Sequence, residues 1–297
     1  MSNAPVLLAK SRDFGRIVSD TFLFLKQNFV GLYKPIALIC LGPALLAGYL
    51  LGDKSYDMQM MARQAQDGSD PMVFLQSFTT GLVPMLGAYV LLGVVFITLI
   101  ALVYEYMRAH HLGEHGVLTT GDLFNRATGQ LGSYFVAGLL YGLASMLGFV
   151  LCVLPGIYLM VALGFCFMVH AIERTGGTGA LGRSMAVVKD HWWETFGLVL
   201  VMGLIGGIIS GVVMVPSMIV GAFVGVMSAE EALRSGGTAG FPEWFRVFMV
   251  ISNTLQVALN ILTYPISAVA LGMKYFALRE EKEHLGLREQ VSRFDAV

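Results

Sequence analysis

Six long apolar runs dominate the chain, at residues 33–51, 82–104, 133–153, 154–172, 195–215 and 250–273. A membrane-crossing helix needs about 20 mainly apolar residues, and one charge at its centre costs at least ~2.5 kcal/mol. No charge lies in the middle of any of these runs. The pattern therefore predicts an all-α, polytopic membrane protein of six transmembrane helices in a single integral membrane domain, 1–297. The third and fourth runs meet at Leu154-Pro155-Gly156, and Pro-Gly is a turn signal that predicts a helical hairpin there. Residues 195–227 are 33 residues without a charge, about 50 Å as a helix. That is too long for one span and too short for two. Pro216 is expected to kink or end the helix, leaving 217–227 as an outer extension or a re-entrant segment.

Between the runs the period changes. Within 1–32, Phe14, Ile17, Val18, Phe22, Leu25 and Phe29 share one helical face, with Arg16, Ser19, Asp20, Lys26 and Gln27 opposite and Leu23 as the misfit. This reads as an amphipathic helix on the membrane interface, or as a helix packed under the bundle. The short apolar core and small-residue cleavage site of a signal peptide are not seen here. A second interfacial segment spans 179–196. Leu181, Met185 and Val188 share a face, and His191-Trp192-Trp193 follows. Tandem Trp192 and Trp193 at a span edge fit an aromatic belt, as do Tyr104, Tyr106, Trp244, Tyr275 and Phe276.

Composition agrees: 56% of residues are apolar, 13% are charged, mean hydropathy is +0.70 and the formal net charge is −1. An average soluble domain carries roughly 25% charged residues. Disorder, a fibrous chain, a basic nucleic-acid-binding face and almost any soluble enzyme are excluded. Lys and Arg divide unevenly. With six spans, 15 fall on the side of the two termini and 4 on the other. By the positive-inside rule both termini are cytoplasmic, including a 274–297 tail. Arg279-Glu280-Glu281-Lys282-Glu283 is expected to extend the last span as a solvated helix. Cys40, Cys152 and Cys166 lie in apolar runs as buried thiols, with no metal spacing.

Few residues offer chemistry. His111-Leu112-Gly113-Glu114-His115 matches H-x-x-E-H, in which two histidines one helical turn apart hold zinc beside a glutamate. Gly113 and Gly116 speak for a solvated loop instead. On the last span Asn253, Gln256, Asn260, Thr263 and Ser267 are spaced 3, 4, 3 and 4 apart. Such a stripe must face protein or water, so it lines a polar path or bonds to neighbouring helices. Gly203, Gly207 and Gly211, with Gly138 and Gly142, form small-residue ridges suited to close packing in the bundle or to a homodimer face. Pro43, Pro216 and Pro265 kink three spans, as static bends or as moving parts. The polar segment 52–81 carries Asp53, Asp57, Asp67 and Asp70 against Lys54 and Arg63. Its Met58, Met60, Met61 and Met72 suit soft Cu(I) or ordinary packing.

Several of these motifs resemble, in the same order, those of a bacterial family of six-span membrane proteins. Some of its members carry the label glycerophosphoryl diester phosphodiesterase membrane domain. The shared stretches are Asp13-Phe14-Gly15-Arg16 to Phe29, Leu154-Pro155-Gly156-Ile157-Tyr158-Leu159, Ala180-Leu181-Gly182-Arg183-Ser184, Val188-Lys189-Asp190-His191-Trp192-Trp193, Tyr264-Pro265 and Tyr275 to Glu283. The resemblance implies a bacterial cytoplasmic-membrane protein. It implies no catalytic residue, because the barrel that would carry the phosphodiesterase needs about 250 soluble residues. The expectation is a non-enzymatic, membrane-organising or partner-binding component without cofactor or metal. Its partners would be membrane lipids and a membrane protein or a second copy of itself, not nucleic acid. The alternative is a transporter or channel for a small or lipid-like substrate along the last helix.

Overall fold

The computed structural model describes residues 6–66, 71–114, 116, 118–235 and 240–283. Every regular element among them is helical. In order they are α1 (Phe14–Gln27), α2 (Phe29–Ile36), a π-helical turn (Ala37–Leu41), α3 (Gly42–Gln66), α4 (Pro71–His111), α5 (Thr120–Leu151), α6 (Val153–Ala162), α7 (Cys166–Glu173), α8 (Gly176–Val188), α9 (Trp192–Ser235) and α10 (Glu243–Glu283). Six stretches are long and apolar enough to cross a membrane: Phe29–Met61, Thr79–His111, Thr120–Leu151, Val153–Glu173, Trp192–Arg234 and Glu243–Glu283. The protein is an all-α polytopic membrane protein.

Several helices outrun their apolar runs. Most of 52–81 is not loop: α3 continues to Gln66 and α4 begins at Pro71. Lys, Gln, Met and Ala are good helix formers, so the polar ends propagate the helix. Asp67 and Asp70 lie outside the described residues. Pro216 does not end α9, which runs unbroken for 44 residues. Thus 217–227 is a helical extension and not a re-entrant segment. Beside the proline the hydroxyl of Ser217 donates to Val213 O at 2.7 Å. The hairpin joint also moves. Cys152 breaks the chain in an extended conformation, and Pro155 sits in the first turn of α6. A proline is tolerated there because its missing N–H would lack an intrahelical partner anyway. The arms meet at glycines: a Cβ on Gly148 would lie 2.9 Å from Gly156 Cα.

The helix α1 starts at Asp13, whose carboxylate accepts from Arg16 N at 2.8 Å. Its buried residues are Ile17, Thr21, Phe24 and Leu25, while Phe14, Phe22 and Phe29 of the expected apolar face are exposed. The buried face is set by α4: the Phe24 ring packs edge-on against Tyr106 and His110 at 6.4 and 4.9 Å. The Tyr106 hydroxyl donates to Asn28 Oδ1 at 2.9 Å. At α5 a reciprocal cap forms between Thr119 and Asp122.

The chain gathers into two compact units. The first comprises Met1–Ala37, Ile97–Gly206 and Tyr264–Val297, the second Leu38–Phe96 and Gly207–Thr263. Leu99, Leu102, Met107, Tyr134, Phe165 and Tyr275 are buried in the first. In the second, Tyr56, Val224 and Phe245 form a core packed by Met60, Val220, Phe241, Phe248 and Met249. There α3 and α10 touch through backbone, since a Cβ on Gly52 would stand 2.6 Å from Val250 Cα. Asp53, Lys54 and Asp57 close the same contact, with Arg246 donating to Asp53 at 2.8 and 2.5 Å.

Candidate functional site

The polar stripe divides its bonds between its own helix and one neighbour. Asn253 Nδ2 donates to Met249 O at 2.9 Å and Thr263 Oγ1 to Leu259 O at 2.9 Å, both on α10. Asn260 Oδ1 accepts from Ser210 Oγ of α9 at 3.0 Å and from Gln256 Nε2 at 3.4 Å. The Gln256 Oε1 atom is buried and without a donor among the described residues. Ser267 is half-buried one turn beyond Thr263. Interhelical hydrogen bonds of this kind average about 0.6 kcal/mol and reach about 1.7. A double-mutant cycle with Ser210→Ala and Asn260→Ala, read by thermal unfolding in detergent, should therefore give a coupling of about 0.6–1.7 kcal/mol.

Among the described residues no atom stands close over the glycine ridge. A Cβ added at Gly203, Gly207 or Gly211 would meet no atom within 4 Å, and the same holds at Gly142. The close packing expected at these glycines is not seen among the described residues. Gly138 makes an ordinary contact with Phe167 at 3.6 Å.

The first unit holds a cluster of charges that the apolar pattern did not reveal. Glu105 on α4 has its side chain 1% exposed. Arg174 donates to both its oxygens, at 2.7 and 2.6 Å, and the Tyr134 hydroxyl adds a third bond at 3.2 Å. Arg174 adopts a left-handed φ of 53° at the end of α7, a conformation that disfavours a side chain by roughly 1–2 kcal/mol. His170 sets its ring perpendicular to Tyr134 at 4.8 Å. Beside it Glu173 accepts from Arg183 Nε at 3.0 Å and from the Tyr275 hydroxyl at 2.8 Å. Arg183 also pairs with Glu283, Lys274 with Glu194 at 2.5 Å and Lys282 with Asp190 at 3.2 Å. The sequence signal was a charge placed directly after an apolar run: Glu105 follows Tyr104, Glu173 follows Ile172 and Lys274 follows Met273.

The tandem tryptophans build the third feature. The Trp192 ring stacks on Tyr158 at 5.7 Å and on Phe196 at 5.3 Å, and its Nε1 donates to Tyr158 O at 3.3 Å. Trp193 stands perpendicular to it and is 76% exposed. These two, with Leu154, Pro155 and Tyr158 from α6, line an open cleft of about 690 Å3. Lys189 and Asp190, just beyond α8, complete it. The Pro155 turn and the 173–194 segment, expected on opposite sides of a membrane, thus share one cleft. A hydrocarbon core is about 30 Å thick.

The remaining motifs come apart. His111 is the last residue of α4, Gly113 has a φ of 75°, and Glu114 is held by Arg126 at 2.5 Å. The helical spacing that H-x-x-E-H needs is not formed, and His115 lies outside the described residues. Among the described residues no three His, Cys, Asp or Glu side chains gather in a geometry able to hold a metal ion. Met60 caps Phe241 N through its sulfur at 3.4 Å. Cys40 and Cys166 are buried, but Cys152, at the hairpin break, is exposed.

Residues 23–277 match a family described as a domain of unknown function (DUF7847). No curated protein and no solved structure matches the chain. The match gives no support to the phosphodiesterase membrane-domain label that the motifs resemble.

Proposed function

The chain belongs to the family described as a domain of unknown function (DUF7847), and we propose that it is a non-catalytic component of a bacterial cytoplasmic membrane that organises lipid and binds a membrane partner. In this reading the Lys and Arg split by itself puts both termini and α1 on the cytoplasmic side, whereas the cleft shared by Pro155 and Trp192 requires that Val153–Glu173 not carry the chain fully across. The observation behind it is the Ser210–Asn260 bond at 3.0 Å. The stripe spends its central amide on joining α9 to α10. Vesicles carrying the protein and loaded with small solutes and fluorescent phospholipids test it. Solute leak and lipid transfer should match protein-free vesicles, while Asn260→Leu lowers the melting temperature and changes neither flux. Protein-dependent flux that Asn260→Leu abolishes in a folded protein overturns it.

One observation favours a second reading. Gln256 Oε1 is buried and has no donor among the described residues, and an unmet acceptor of this kind costs about 1–3 kcal/mol. A transported hydroxyl or amine would supply that donor. Flux in the vesicle assay, with selectivity altered by Gln256→Leu, is the result this reading requires.

A further inference from the structure

The cleft at Trp192 and Trp193 joins two kinds of surface. One is apolar: around the α5–α6 joint, Leu151 is 81% and Leu154 75% exposed. Such side chains are stable in contact with hydrocarbon and not with water. The other is charged. Lys189 and Asp190 are both exposed, and they bring one positive and one negative group to the same opening. The Lys189 N–H closes α8 on Met185 O at 3.0 Å, while its side chain makes no hydrogen bond or ion pair among the described residues. Among the described residues the Asp190 side chain pairs with Lys282 alone, at 3.2 Å, and is largely open. Between the two surfaces stand the aromatic rings, with Trp193 perpendicular to Trp192 and Phe196 and largely exposed. A water–hydrocarbon boundary is where tryptophan is most at home.

We propose that this cleft is a binding site for a zwitterionic glycerophospholipid of the phosphoethanolamine type. The charge pattern selects that class. Lys189 takes the phosphate as a charge-assisted hydrogen bond. Asp190 accepts from the primary ammonium through its open side, and the exposed Trp193 ring adds a cation–π contact to it. An acyl chain lies along Leu154 and Tyr158. Lys282 pairs with one Asp190 oxygen and leaves the side chain largely open, so a headgroup without an ammonium forgoes the contact there and phosphatidylglycerol is held less tightly than phosphatidylethanolamine. The proposal rests on the membrane reading above but not on the absence of transport. Flux would refute that reading and leave this site standing.

Native mass spectrometry of the full chain in detergent tests it. Phosphatidylethanolamine, phosphatidylglycerol and soluble glycerophosphoethanolamine are titrated separately. The expected result is one tightly retained phosphatidylethanolamine, with phosphatidylglycerol bound more weakly. The soluble headgroup should bind weakest of the three, because it lacks the acyl chain. Lys189→Gln and Trp193→Ala should each weaken retention about tenfold, and Asp190→Asn should erase the preference between the two lipids. All three remove exposed side chains, and an unchanged melting temperature confirms that the fold is intact. Equal retention of both lipids by the wild-type chain overturns the proposal. So does retention unchanged in Lys189→Gln and Trp193→Ala. Binding of the soluble headgroup as tight as the whole lipid replaces it with a free phosphoethanolamine site.

Discussion

Alanine at Gly52 or Gly48 should destabilise the protein by about 1–3 kcal/mol each, the usual penalty for overpacking a tight contact. An added Cβ would lie 2.6 Å from Val250 Cα and 2.9 Å from Met249 O at Gly52, and 2.7 Å from Thr254 Cα at Gly48. These neighbours are backbone, so no rotamer change relieves the clash and α3 must move off α10. The sign is the diagnostic part. Alanine normally gains about 0.5–1 kcal/mol over glycine inside a helix. Gly203→Ala, Gly207→Ala and Gly211→Ala, where the added carbon meets nothing within 4 Å, should follow that normal rule in a detergent-solubilised monomer. Thermal unfolding of the five single variants separates the two groups. A fall in melting temperature at Gly203, Gly207 or Gly211 comparable to that at Gly52 would mean that a second copy packs on α9.

Removing Arg174 while keeping Glu105 should cost about 3–5 kcal/mol, because it leaves a buried carboxylate without its cation. The Glu105 side chain is 1% exposed and would retain only the 3.2 Å bond from Tyr134. Arg174→Met should therefore unfold at much lower temperature than the wild-type chain. Glu105→Gln combined with Arg174→Met should recover most of the loss, since replacing both partners of a buried pair is often neutral. Tyr134→Phe removes one bond of three and should cost about 1–3 kcal/mol. A double variant no more stable than Arg174→Met would show that the arginine serves something other than Glu105.

Why the fold was legible and the sites less so follows from which signals are local. Each span is announced by some 20 apolar residues in a row, and no tertiary contact can cancel that. Boundaries are different. The helix through Asp53, Lys54 and Asp57, carried on by good helix formers, is also pinned by Arg246, 193 positions from Asp53. No window of sequence contains both. The stripe Asn253, Gln256 and Asn260 was visible as a period, but its partner Ser210 is a short serine among glycines. The ridge Gly203, Gly207 and Gly211 had the right spacing, yet spacing cannot say whether another helix lies there. Trp192 and Trp193 were read as interfacial anchors, whereas Leu154 and Pro155 became their neighbours only when α8 returned along α7. In α1 the apolar count favoured the face of Phe14 and Phe22. The structure buries Ile17 and Leu25 of that face together with Thr21 and Phe24, because Thr21 Oγ1 satisfies itself on Ile17 O at 2.7 Å and Phe24 has rings to meet.

The π-helical turn at Ala37–Leu41 keeps the first span in frame. Leu32, Ile36, Cys40, Ala44, Ala47 and Leu51 are all buried, and the first four are spaced by four residues. On an ordinary α-helix each such step drifts by about 40°, so Leu32 and Ala44 would face directions about 120° apart. One wide turn accommodates an extra residue, worth about 100°, and brings them back into line. In evolutionary terms the turn behaves as a tolerated one-residue insertion, held two positions before Pro43, where the α pattern already lacks a donor. Deleting any one residue of Ala37–Leu41 would act on this helix much as a frameshift acts on a gene. Every residue would survive, and the side chains before the deletion would read out on the wrong face.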